Sequence, residues 1–303
     1  MAAKVFTRDD LIKFKPRHDS FVGIDSDGCV FDTMKVKQKQ CFHGLIVSHW
    51  HLEPIEKYVR ESAEFVNLYS KWRGQNRFPC LLMSLDLLRD RPEVIKSGVK
   101  LPDTTALKKF IDSGVALGNP VLTKLVKETN DPDLASLLTW SNDVNDKIAQ
   151  VVKKVPPFKW ALASFKLIRK SSDAICVSQT PTEALVREWE ENDIMGYASI
   201  IAGQELGTKS EHLILSTQGK YKPGHVLMIG DAPGDLKAAR DAKALFFPIN
   251  PGREEQSWEC FAKEAYTKFL SGTYAGTYET NKIAEFQALL PDTPPWKRTN
   301  PKK

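Results

Sequence analysis

The chain has 303 residues, 42% of them hydrophobic and 27% charged, with a net charge of +5. That is enough apolar sequence for one large domain or two modest ones. No apolar run approaches the ~20 residues needed to cross a bilayer, so no membrane partner is expected. The basic residues are dispersed, which argues against a nucleic-acid footprint and leaves an anionic small molecule as the expected partner. The opening MAAKVFTRDD has no apolar stretch after its charges, so no secretory signal is expected. Five scattered cysteines form no C-x-x-C pair, which points away from zinc and disulfides and towards a reducing, cytoplasmic setting.

Phe21–Ile24 is a short apolar run that reads as a buried strand, and an acidic cluster follows it. From about Val36 to Val152 the texture changes. Segments such as Pro54–Trp72 and Leu134–Val152 repeat apolar residues three and four apart, predicting five or six helices broken near Gly74, Gly98, Gly118 and Pro132. After Pro156-Pro157, helix and strand alternate. Helices are predicted over Phe158–Arg169, Thr182–Glu191, Glu211–Thr217 and Leu236–Asp241. Strands are predicted over Ala174–Val177, Ala198–Ile201, Val226–Ile229 and Ala244–Phe247. That order predicts an α/β fold with a parallel sheet covered by helices. Residues 1–33 and 155–303 are expected to form this discontinuous core, with 34–154 inserted as a helical domain. Glu254–Leu290 reads as helical with a break at Gly272–Gly276, and the Pro-rich last dozen residues as a loose tail.

The run Asp25-Ser26-Asp27-Gly28 places two carboxylates at i and i+2, so in an extended segment both point the same way. They leave the carboxyl end of a buried strand, where open α/β sheets bind ligands. Buried carboxylates need a cation or a proton. A calcium loop is excluded, because the glycine stands fourth rather than sixth and the twelfth residue is Val36. A second pair, Asp231 and Asp235, follows the apolar run Val226–Ile229. Oxygen-only ligands suit Mg²⁺ better than zinc. Ala174–Val177 ends in Ser178-Gln179 before Thr180 (predicted N-cap), Pro181 and Glu183, a helix start suited to an anion.

These motifs, in this order, resemble the haloacid dehalogenase superfamily. The resemblance implies a Rossmann-like core with a helical cap inserted after the first motif. It implies a Mg²⁺-dependent phosphohydrolase acting on a small phosphorylated metabolite. Asp25 would be the nucleophile and Asp27 the general acid and base. Ser178, Gln179 and Lys209 would hold the phosphate, with Lys209 preferred over Lys222. The ion would be held through Asp25, Asp27 (by its carbonyl), Asp231 and Asp235, the last acting through water or through Lys209. One departure is Cys29-Val30 where the family usually has Thr-Leu. Asp27 argues against a dehalogenase or phosphonatase. A β-phosphoglucomutase-like phosphomutase and a non-catalytic binding protein remain alternatives. Trp72-Arg73 and Arg77 form a basic, aromatic loop that could grip a substrate phosphate or ring.

Overall fold

A computed structural model describes residues 5–297. The chain divides into two compact units. One comprises the described residues up to Met34 together with Lys154–Leu290. The other comprises Lys35–Lys153 together with the described residues from Pro291 onward.

The first unit is built on five parallel strands: β1 (Phe21–Ile24), β2 (Asp173–Val177), β3 (Ile201–Ala202), β4 (Val226–Gly230) and β5 (Leu245–Pro248). Their spatial order is β3-β2-β1-β4-β5, a Rossmann-like α/β arrangement. Residues of β1, β2 and β4 are buried throughout, which is why, apart from Asp173 at the head of β2, these strands read as apolar runs rather than alternating ones. Ile24 stands level with Cys176 on one side and Ile229 on the other. The residues leaving β2 and β4 therefore flank the one leaving β1, although they lie about 150 and about 200 positions further along the chain. After β1 the sheet grows towards β3 and then resumes on the other side with β4, so the order reverses beside β1. Such a reversal opens a crevice at the carboxyl ends of the strands.

The expected strand over Ala198–Ile201 is shorter and later than its composition suggested. A tight turn at Met195–Tyr197 takes the chain to the sheet, and only Ile201–Ala202 pair as a strand. Ser199 and Ile200 nonetheless exchange backbone hydrogen bonds with β2, through the Ala174 carbonyl and the Cys176 amide. The helix expected from Glu211 begins at Lys209, because Thr208 is its N-cap and Glu211 completes the capping box. Glu254–Leu290 forms helical segments ending at Leu270, then a break and a further helix, Thr277–Ala288.

The second unit is all helical. Seven α-helices lie between His43 and Val151 among the described residues, more than expected, because Arg91-Pro92 adds a break before a short helix at Pro92–Ser97. Its core surrounds the fully buried Trp140, which meets the rings of Phe42, Trp50 and Phe78. Pro291–Lys297, expected as part of a loose tail of the α/β unit, belongs to this unit instead. Trp296 packs on Phe65 and lies 4.5 Å from the Arg91 guanidinium. Asp292 pairs with Lys71 at 2.9 Å and Lys297 with Asp90 at 3.0 Å. The rest of the expected tail lies outside the described residues. No helix among the described residues is long and apolar enough to cross a membrane.

Candidate active site

Asp25 is the first residue past β1, 3% exposed, and its amide donates to the Ile229 carbonyl of β4. Asp231 is the first residue past β4 and is fully buried. Asp235 is brought to them by the helix Pro233–Asp241, whose first turn folds back over the strand end. The carboxylates of Asp25, Asp231 and Asp235 offer oxygens within 4.8 Å of one another. The approach depends on Gly230, where a Cβ would fall 2.4 Å from the Asp235 carboxyl group.

Asp235 has both oxygens committed. Its Oδ2 accepts the Asp231 and Ala232 amides at 3.0 and 2.9 Å, and its Oδ1 accepts from Lys209 Nζ at 2.6 Å. It thus caps its own helix and also anchors the lysine. Lys209 Nζ lies 3.0 Å from Asp25 Oδ1, bridging the two acids. Lys222, the rival lysine, is exposed in the turn before β4. Burial would lower the Lys209 ammonium, but Asp235 and Asp25 more than offset this and raise it above its ordinary range. Burial pushes the Asp25 carboxyl well above the usual carboxylate range. Lys209 opposes that, while Asp235 and Asp231 add to it. With all three carboxylates ionised against one ammonium, the buried site would carry two negative charges, a balance that a divalent cation would neutralise. The donor set is all oxygen, so the residues fit a hard cation such as Mg²⁺.

The side chain of Asp27 is held by two hydroxyls. Its Oδ1 accepts from the Thr33 hydroxyl, and its Oδ2 from the Thr180 hydroxyl at 2.6 Å. Gly28, at φ 77°, turns the backbone directly afterwards, and its amide bonds the Phe31 carbonyl. That conformation is open to glycine at little cost. Cys29 is buried with its thiol against the Ile229 carbonyl, and burial raises that thiol well above its ordinary range, so it stays neutral.

Ser178 leaves β2 at 2% exposure, and its Oγ accepts the Thr180 amide at 3.2 Å. The exposed Gln179 reaches the Gly207 carbonyl at 3.0 Å. Thr180 is not the N-cap. The helix begins at Thr182 with Pro181 before it, and the Thr182 amide and hydroxyl are taken by Glu205. The Thr180 hydroxyl is thereby left for Asp27, a role that sequence reasoning missed because Thr-Pro-x-Glu looked like a complete cap. Arg77 donates to the Ser141 carbonyl and Asn145 and lies 5.4 Å from the Phe42 ring centroid, all within the helical unit.

No family model and no curated protein matches this chain. Solved structures do. A protein from Lactobacillus delbrueckii subsp. bulgaricus assigned as a phosphoglycolate phosphatase is 16% identical, with 89% of this chain and 99% of that one covered and a TM-score of 0.47. A haloacid dehalogenase-like hydrolase from Streptococcus pneumoniae is 14% identical over 88% and 98%, at 0.42. A protein from Bacteroides vulgatus assigned as a β-phosphoglucomutase is 14% identical over 86% and 91%, at 0.44. The likeness is to haloacid dehalogenase-like proteins.

Proposed function

We propose that this chain is a Mg²⁺-dependent phosphohydrolase of the haloacid dehalogenase type, cleaving a small phosphate monoester. The observation that carries this reading is the convergence of the Asp25, Asp231 and Asp235 carboxylates at adjoining strand ends, with Lys209 tied to two of them. Mg²⁺, when bound, would offset the repulsion between Asp25 and an anionic phosphate. Asp25 and Asp231 have the geometry to hold it. Asp235 acts through Lys209 and the backbone amides it accepts.

In this reading Asp25 attacks phosphorus, and an aspartyl-phosphate forms as the ester oxygen departs. Lys209 and the Ser178 hydroxyl, just past β2, steady the phosphate oxygens as charge redistributes. Asp27 gives a proton to the leaving oxygen and later takes one from the water that attacks phosphorus, releasing phosphate and freeing the Asp25 carboxylate. The hydroxyls of Thr33 and Thr180 fix the orientation of its carboxyl group between these steps. The resemblance also motivates assigning the helical unit, residues 35–153, a part in substrate selection.

The test is hydrolysis of p-nitrophenyl phosphate with Mg²⁺ present. Asp25→Asn should abolish turnover with the fold intact, and Asp27→Asn should lower it roughly 10²–10⁴-fold. Wild-type turnover in Asp25→Asn would remove the nucleophile and the proposal with it. Measuring released phosphate against isomerised sugar phosphate separates hydrolase from mutase.

A further inference from the structure

The loop that carries Asp25 and Asp27 is gripped from the core side as well as from the site. Ser26 stands between the two acids, so its side chain faces away from theirs and into the protein, where it is fully buried. Its hydroxyl receives the indole N–H of Trp189 at 3.1 Å. Three residues on, the Cys29 carbonyl receives the indole N–H of Trp258 at 2.7 Å. Both tryptophans are fully buried. An indole has one donor and no acceptor, so each ring can be satisfied in the core only by a correctly placed oxygen.

The two rings are not independent. Phe165 stacks on Trp189 with centroids 5.8 Å apart and an interplanar angle of 20°, and it meets Trp258 edge-on at 5.9 Å and 86°. Trp189 lies on the helix Thr182–Glu191, which follows the segment whose Thr180 hydroxyl holds Asp27. The loop is therefore pinned at Ser26, Asp27 and Cys29 by one continuous aromatic and hydroxyl framework.

We propose that Trp189, with Trp258 and Phe165 behind it, is a positioning residue that sets the height of Asp25 and Asp27 above the sheet. The proposal rests on the phosphohydrolase reading for its effect on turnover, but it also predicts an effect on metal binding that needs no turnover. Reacting atoms displaced by a fraction of an ångström to an ångström can lose up to roughly a hundredfold in rate.

Two substitutions test it: Trp189→Phe, which keeps a ring and deletes the donor, and Ser26→Ala, which deletes the acceptor with little change in volume. Each should remain folded by circular dichroism. Each should lower kcat for p-nitrophenyl phosphate by roughly ten- to a hundredfold with KM within about twofold of wild type. The double variant should be no worse than the poorer single, since both remove the same bond. Mg²⁺ affinity measured by calorimetry without substrate should weaken severalfold in each. Wild-type kcat and wild-type Mg²⁺ affinity in folded Ser26→Ala would overturn the proposal, as would effects that multiply in the double variant. If wild type binds Mg²⁺ but hydrolyses no phosphate ester, the functional reading fails and Mg²⁺ affinity alone judges the positioning role. If wild type binds no Mg²⁺, both fall.

Discussion

Replacing Lys209 by Met keeps most of its volume and removes one charge. Its Nζ lies 3.0 Å from Asp25 and 2.6 Å from Asp235, and its side chain is 17% exposed. Without it, three carboxylates within 4.8 Å of one another lose the ammonium that bridges two of them. Breaking a buried ion pair by removing one partner costs about 3–5 kcal/mol. For a chain of 303 residues, with an unfolding entropy of about 0.6 kcal/mol/K, that corresponds to a drop in Tm on the order of 5–8 °C. The loss should be largest in EDTA and should shrink on adding Mg²⁺, because a bound ion stabilises by about 2.7 kcal/mol at a hundred times its Kd. The pH dependence should steepen as well. Asp25 already sits above its ordinary range with Lys209 holding it down, so removing the lysine raises it further. A carboxyl raised in the folded state gives stability that is full below its unfolded value and is lost as pH rises through the folded one. Lys209→Met should therefore recover part of its deficit on mild acidification. Urea unfolding at several pH values, with EDTA and with Mg²⁺, measures all three effects. A deficit under about 1 kcal/mol in EDTA, or one indifferent to Mg²⁺, would refute the charge accounting.

His43 is 1% exposed, and burial, then Arg60 and Lys39, lower it from 6.5 to about 3. The unfolded chain then takes up the proton first, so stability is full above about pH 6.5 and declines as pH falls towards 3. Wild type should lose about 2 kcal/mol more than His43→Leu between pH 8 and pH 5, read by urea unfolding. Trp296→Ala removes the ring packed on Phe65 and Arg91, and should cost about 1–3 kcal/mol of stability with kcat unchanged.

The sheet was legible because strands buried on both faces are largely apolar, and each of β1, β2 and β4 is followed by a polar residue that stands out against that background. The acids were legible for the same reason. What escaped were contacts between residues far apart in sequence. Nothing around Thr180 announces that its hydroxyl turns to Asp27, since its neighbours spell a helix start equally well. Nothing marks Trp189 or Trp258 as partners of residues 26 and 29, because a tryptophan on an amphipathic helix reads first as core. The helix at Arg8–Ile12 also escaped, being one turn long with only Leu11 buried.

The attachment of Pro291–Lys297 to the helical unit bears on how this protein can be taken apart. A chimaera exchanging residues 35–153 alone would strip Phe65 and Arg91 of the tryptophan that covers them and leave Lys71 and Asp90 facing a foreign terminus. A faithful transplant carries two pieces of chain.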